Sequence, residues 1–321
     1  MSYFKNWCTL SGALVLVVSV GFGLTYRVVA QTNDTTPAAM AAALKERESK
    51  VSSGKGEVHI TRTESSDPRY IDAQPAEMRA VLDNKSYVIK FRFNGHKFLE
   101  EETRDGVQVA DCVKGYDGNR AVFYDKPGNY ASVITAPALA GGTEILRRGQ
   151  GTVEAASWLQ LGHLYGRSHP GPALEYGYTP LSAKIGASGV TFEGSEDVDG
   201  IPCYRYNYHF KGSVQSWWIA ASRGLVVLKC TMESAGATGA SEKWTTTYTK
   251  LKEFAGGIWI PMEVHEKLIV TLATGEQLEV RHKTAIVTAF EINVGIENAE
   301  FVYSIPEGTE TVVESEPVAA K

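Results

Sequence analysis

Seven histidines, at 59, 96, 163, 169, 209, 265 and 282, are the first residues to test for a metal or acid–base centre. None stands at the H-E-x-x-H interval that puts two imidazoles on one helix face. H-L-Y-G-R-S-H (163–169) holds the one local pair, and its spacing suits a loop as well as a metal. His59, His209, His265 and His282 fall in alternating segments, where a strand residue facing water needs no function. The acids of E-G-S-E-D-V-D-G (193–200) lack the spacing of a calcium loop and fit a solvated turn. Glu100, Glu101 and Glu102 are most simply a charged strand end. No G-x-S-x-G elbow, Walker A loop or dinucleotide fingerprint occurs. The residues therefore nominate no catalytic group, metal or cofactor. Carboxylates can converge from distant strands, so a hydrolase acting on an envelope lipid or glycan stays open as an alternative.

The chemistry that the spacing does favour is binding. In C-Y-R-Y-N-Y-H-F (203–210), Tyr204, Tyr206, Tyr208 and Phe210 alternate with polar residues. That period of two puts all four rings on one face of a strand. Together they carry ~600–1000 Å² of buriable surface, more than the ~300–600 Å² of the largest apolar patch on an ordinary monomer. Something must cover them. Neighbouring strands offer partners: Trp218 with Val214 and Ala220, Val226 with Leu228 and Met232, Trp244 with Thr246 and Tyr248. Phe91 and Phe93, in a second alternating run with Tyr87 and Ile89, join the candidate lining.

The elements that would position these rings are almost all strands. Thr36 and Pro37 open a helix through P-A-A-M-A-A-A-L-K-E-R-E-S-K (37–50), as N-cap and first-turn residue. A strand follows at E-V-H-I-T-R-T-E, then a hairpin over 86–103 turning at Asn94-Gly95. Further strands are expected near 107–113, 119–124, 130–135, 188–195, 201–210, 214–221, 225–233, 242–252, 258–268 and 278–290. D-G (117–118 and 199–200), K-P-G-N and K-G (211–212) are the turns between them. The pattern breaks over 136–187, an insertion with a helix in V-E-A-A-S-W-L-Q-L-G-H-L-Y.

Ahead of this domain lies an uncharged run, Cys8 to Tyr26, after a short N-terminus carrying Lys5. Val28 and Ala30 are placed for cleavage after Ala30. The run is also close to the ~20 residues of a membrane span, so a cleaved signal and an inner-membrane tether (8–26) are both open. Either puts the domain outside the cytoplasm, in the periplasm or cell envelope. Residues 31–36 read as a linker, 37–315 as one domain and 316–321 as a disordered tail. The chain is 43% hydrophobic and 21% charged, with net charge −5 and no long basic run, which argues against nucleic acid as a partner. Cys112, Cys203 and Cys230 form no C-x-x-C pair. Cys203 and Cys230 lie two strands apart in a meander, about 9–10 Å, too far for a disulfide.

Several segments carry a resemblance. After the Ala-rich helix come S-G-K-G-E-V, D-G-N-R-A-V-F-Y-D and D-G-I-P-C-Y-R-Y. Then follow S-W-W-I-A-A-S-R-G-L-V-V-L-K, G-G-I-W-I-P-M-E-V and the closing N-V-G-I-E-N-A-E-F-V-Y-S-I-P-E-G-T. Over roughly 38–315 this order resembles the outer-membrane lipoprotein-sorting (LolA/LolB-like) superfamily, in its large exported branches. The resemblance implies a mainly antiparallel, curved half-barrel sheet wrapped around helices, with acyl chains of a lipid or lipoprotein on its concave face. It implies a non-enzymatic, monomeric carrier or chaperone, with an envelope protein as a further partner. A sensor or scaffold whose aromatic face is only core is the alternative. On this reading Tyr204, Tyr206, Tyr208, Phe210, Trp218, Phe91 and Phe93 line the groove, with helix 37–50 and the insertion as its lid.

Overall fold

The computed structural model describes residues 34–65, 67–73, 85–95, 97–104, 111–135, 180–210, 212–235 and 240–315. The signal or tether (1–30), the helix expected in the insertion, the 163–169 histidines and the 316–321 tail lie outside the described residues.

Helix α1, Pro37–Ser49, starts where the sequence places it. The Thr36 hydroxyl accepts from the Ala39 amide at 3.3 Å, and Pro37 fills a position whose amide would have no helical partner. Its buried residues, Met40, Leu44 and Arg47, recur every three or four positions, the spacing of one helix face. Two meanders follow. The first is β1 (Ser53–Glu64), a short α2 (Pro68–Ala73), β2 (Lys85–Asn94), β3 (Lys97–Arg104), β4 (Cys112–Tyr116), β5 (Arg120–Asp125) and β6 (Tyr130–Thr135). The second begins with α3 (Leu181–Ile185), then β7 (Val190–Val198), β8 (Ile201–Phe210), β9 (Ser213–Ala220) and β10 (Val226–Ala235). It continues through β11 (Ser241–Phe254), β12 (Ile258–Thr271) and β13 (Gln277–Ile292), and β14 (Glu310–Ser315) closes the chain.

All the described strands join one sheet, in the order β14-β6-β5-β4-β3-β2-β1-β13-β12-β11-β10-β9-β8-β7. Pairing of β1 with β13 joins the two meanders edge to edge. Every pair is antiparallel except β14–β6, which is parallel. The chain reaches β14 by crossing the outer face, where Ile296, Phe301, Tyr303 and Ile305 pack on Leu99, Val113, Tyr124 and Ala131.

Several expectations needed correction. The first hairpin pairs Asn94 with Lys97, so its two-residue connection begins at Gly95 and not at Asn94. Gly95 has φ +57°, the left-handed value glycine adopts at no steric cost. Of the strand expected near 107–113, residues 107–110 lie outside the described residues, and β4 runs over Cys112–Tyr116. The parallel β14 was not foreseen. At Asp199-Gly200 the turn is as read: both residues have positive φ, as a two-residue hairpin demands.

Candidate functional site: the inner face of the sheet

Residue parity and strand register settle which side chains share a face. Tyr206 pairs with Trp217, Trp217 with Cys230, Cys230 with Thr246 and Thr246 with Glu266. Glu266 pairs with Lys283, and Lys283 with Arg62. These side chains form one row across seven strands, on the face that α1 and α3 cover at one end.

At that end Tyr206, Trp217, Ile219 and Val227 pack against Met40 and Leu44 of α1 and Leu181 and Ile185 of α3. Phe192, Tyr204 and Tyr208 pack at the margin. Tyr206 is fully buried, and its hydroxyl donates to Thr35 O at 2.9 Å. Burial pushes that hydroxyl's pKa up, so it stays a neutral donor. The helices are clamped as well as packed: Ser182 N and Oγ reach the Glu48 carboxylate at 3.0 and 2.5 Å, and Arg47 donates to Trp259 O at 3.1 Å.

Away from the helices the same face carries a second aromatic cluster. Phe91 and Phe93 are buried there with Val58, Ile60, Ile89, Phe98, Tyr116, Ile258, Ile260 and Phe290. Gly54 and Gly56 leave room for these rings. A Cβ on Gly56 would stand 2.5 Å from Ala289 O and 2.8 Å from the Phe91 ring. Tyr248 touches both clusters.

Between them runs a belt of charge. Glu64, with a side chain only 3% exposed, is held by the guanidinium of Arg62 and by Arg281 Nε at 2.8 Å. Arg281 also lies over the Trp244 ring, 5.3 Å from its centroid. Burial lowers the Lys283 pKa to about 7, with the like charge of Arg62 adding to it; Glu102 and Glu100 pull the other way. Lys184 of α3 is likewise lowered by burial, and its ammonium acts on the Cys230 thiol, which burial pushes up to about 11.

The expected lining residues are thus divided. Tyr204, Tyr206 and Tyr208 share the helix-covered cluster, with Phe210 stacked on Tyr208 at 6.1 Å. Phe91 and Phe93 are on the same face but in the other cluster. Trp218 is on the opposite face, and its placement beside the comb is corrected. It pairs with Arg205 and Lys229, whose cations lie 5.0 and 4.4 Å from its ring, and its indole N–H donates to Glu196 at 2.9 Å. Trp217 takes the seat beside Tyr206. Ala220, Val226 and Leu228 share that outer face with Trp218, and a bulge between Val227 and Lys229 turns Cys230 and Met232 to the inner one. Cys203 is among them, whereas Cys230 faces inward, and both are free.

Sequence reasoning missed the belt. Glu100 is not a solvated strand end: it is 2% exposed, on the inner face beside Glu102, while Glu101 turns outward to Arg92 at 3.1 Å. Among the described residues no three His, Cys, Asp or Glu side chains gather as a metal site, and no enzymatic function is evident.

The class so defined is an open, mainly antiparallel 14-stranded sheet with few helices and one apolar, charge-belted inner face. The chain matches solved structures of the LolA superfamily and its neighbours at low sequence identity. A DUF1329 family protein from Desulfovibrio piger is 12% identical with a TM-score of 0.47, covering 83% of this chain and 96% of its own. A domain assigned to outer membrane lipoprotein sorting, from Vibrio parahaemolyticus, is 13% identical, with TM-score 0.45 and coverage of 82% and 95%. A LolA superfamily protein from Nitrosomonas europaea is 10% identical, with TM-score 0.45 and coverage of 84% and 99%. No family model matches the chain, and no curated protein matches it in sequence.

Proposed function

We propose that the chain is an exported cell-envelope carrier or chaperone, holding an acyl chain of a lipid or lipoprotein on the inner face of a half-barrel. The observation that carries this reading is the extent of that face. Apolar side chains run across it from β8 to β6, while the described helices cover it in part: α1 and α3 over the β7–β10 end, with Arg47 reaching β12, and Tyr70 of α2 beside Met232, Trp244 and Leu268. Helix α1 is 13 residues long, ~20 Å, and cannot span such a sheet. Curvature toward this face is supported by the charges of Glu100, Glu102 and Lys114, which act on Lys283 from strands three and four places away. In a flat sheet those strands would be ~14–20 Å off.

A groove of this kind needs no catalytic group. Burying a fourteen-carbon chain offers ~11 kcal/mol gross at ~0.8 kcal/mol per methylene. Residues 8–26 either deliver the domain to the envelope or tether it to the inner membrane, and the domain works as a monomer that meets lipid or an envelope protein. Tyr206 favours a second reading for its own end of the face, as a scaffold. Fully buried and tied to Thr35, that ring is part of the packing that fixes α1.

Mixing the purified protein with a myristoylated peptide and following tryptophan emission tests the proposal. Saturable quenching or enhancement, abolished by Tyr204→Asp with Tyr208→Asp in a folded protein, is expected. Unchanged uptake by that folded double variant would contradict it.

A further inference from the structure

On the outer face, where β12 meets β13, two imidazoles stand diagonally across the strand pair. His265 pairs with Thr284 and His282 with Lys267, and the two ring centroids lie 6.0 Å apart with the planes inclined by 43°. Both side chains are partly exposed, at 32% and 38%, so an ion can reach them from solution. A carboxylate stands behind each ring. Glu263 Oε1 is 2.8 Å from His265 Nε2, and Glu279 Oε1 is 3.9 Å from His282 Nδ1. An ionised carboxylate only accepts, so it draws the ring proton to the nitrogen it faces. That leaves His265 Nδ1 with a lone pair, 3.3 Å from the Thr284 hydroxyl. It likewise leaves the His282 lone pair on Nε2, an atom shielded from water and without a hydrogen-bond partner among the described residues. The charges around the pair are balanced. Lys250 and Lys267 lie 2.5 and 3.0 Å from the two carboxylates. The paired residues on the flanking strands, Thr245 and Thr247 of β11 and Thr61 and Thr63 of β1, bring no charge.

We propose that His265 and His282 form a cross-strand site for a divalent transition-metal ion of the Zn2+ type, with water completing its shell. The ring spacing fits: two imidazole nitrogens ~2.0–2.1 Å from one zinc ion put their centroids ~5–6 Å apart. The rings can turn about χ2 to bring both lone pairs onto one ion. The backing fits too, because a histidine ligand ordinarily donates its second ring N–H to a group that fixes its tautomer, often a carboxylate. Imidazole suits zinc, copper or nickel, whereas magnesium and calcium take oxygen ligands. The site lies on the face opposite the proposed acyl groove and stands independently of it.

Titration of the full chain with Zn2+ alone, followed by calorimetry and by long-range proton–nitrogen NMR spectra of the imidazoles, tests this. Zn2+ should shift the His265 Nδ1 and His282 Nε2 resonances together and raise the melting temperature of the chain. Either His265→Gln or His282→Gln should remove one zinc equivalent. His59→Gln, on the same face beside Glu57, should remove none. Zinc shifts confined to other histidines, or an unchanged zinc count in both variants, overturn the site. Loss in only one variant leaves a single ligand and overturns the pair. Displacement of the zinc by an equal concentration of Mg2+ overturns the imidazole site in favour of a carboxylate one. The spectra of the unaltered chain decide the question even where a variant fails to fold.

Discussion

The two ends of the inner face solve the same problem differently. At the β7–β10 end, aromatic rings are covered by α1 and α3 and the cover is fastened by hydrogen bonds from Tyr206, Ser182 and Arg47. Across β1, β2 and β11–β13, rings pack on rings, with Phe290 5.7 Å from Phe91 and 5.6 Å from Phe254, beside a belt of charge. Directly under the helices the first end packs as core around Tyr206, and its marginal rings, Tyr204 and Tyr208, are only partly buried. The second puts apolar surface and cations within reach of each other, the combination an amphiphile needs. A bare list of aromatic residues does not distinguish them; what they face does.

The largest expected effect separates inner from outer face. Trp217→Ala and Trp218→Ala should each cost ~3–5 kcal/mol in urea unfolding, as large buried truncations do. Only the Trp217 change should also weaken acyl binding; equal loss of binding from Trp218→Ala would break the division of faces. Next, Glu64→Gln leaves two arginines against one another and should cost about 3 kcal/mol, less any solvent screening of the half-buried guanidiniums. Gly56→Ala pushes a methyl into Ala289 O and Phe91 and should cost ~1–3 kcal/mol, read from thermal melting. Tyr206→Phe removes one hydrogen bond to α1 and should cost only about 1 kcal/mol, with acyl binding kept.

A pH series sharpens the same contrast. The Lys283 pKa falls to about 7 in the folded protein from the ordinary lysine value, so the unfolded chain binds the extra proton between those limits. Its unfavourable contribution is therefore present in full below about pH 7 and is relieved as pH rises toward 10. Stability of the unaltered chain relative to Lys283→Met should climb over that window. A flat difference would show that Lys283 is not desolvated.

Much of the fold was legible because it is local. Thr36-Pro37, the alternation of 203–210 and the Asp199-Gly200 turn each carry their own structural consequence. The site was legible only in part, because it depends on register. Trp217 could have been found: Phe210 pairs with Ser213, and a two-residue turn at 211–212 puts Tyr206 opposite Trp217. The charged belt could not be read so simply. Bulges at Glu57/Val58, Val227/Lys229 and Leu268/Ile269 change the facing of the residues beyond them, and nothing in the local pattern of charged residues announces that. Parallel β14 escaped because E-T-V-V-E-S is short and exposed, with Val313 at 68% exposure, so no buried period marks it.

Native mass spectrometry of the protein isolated from an envelope fraction, followed by organic extraction, tests the central claim most directly. A reproducible acyl-bearing adduct that is lost on extraction is the expected result. A clean unliganded mass from gently handled, folded protein would contradict the account and leave the inner face as core.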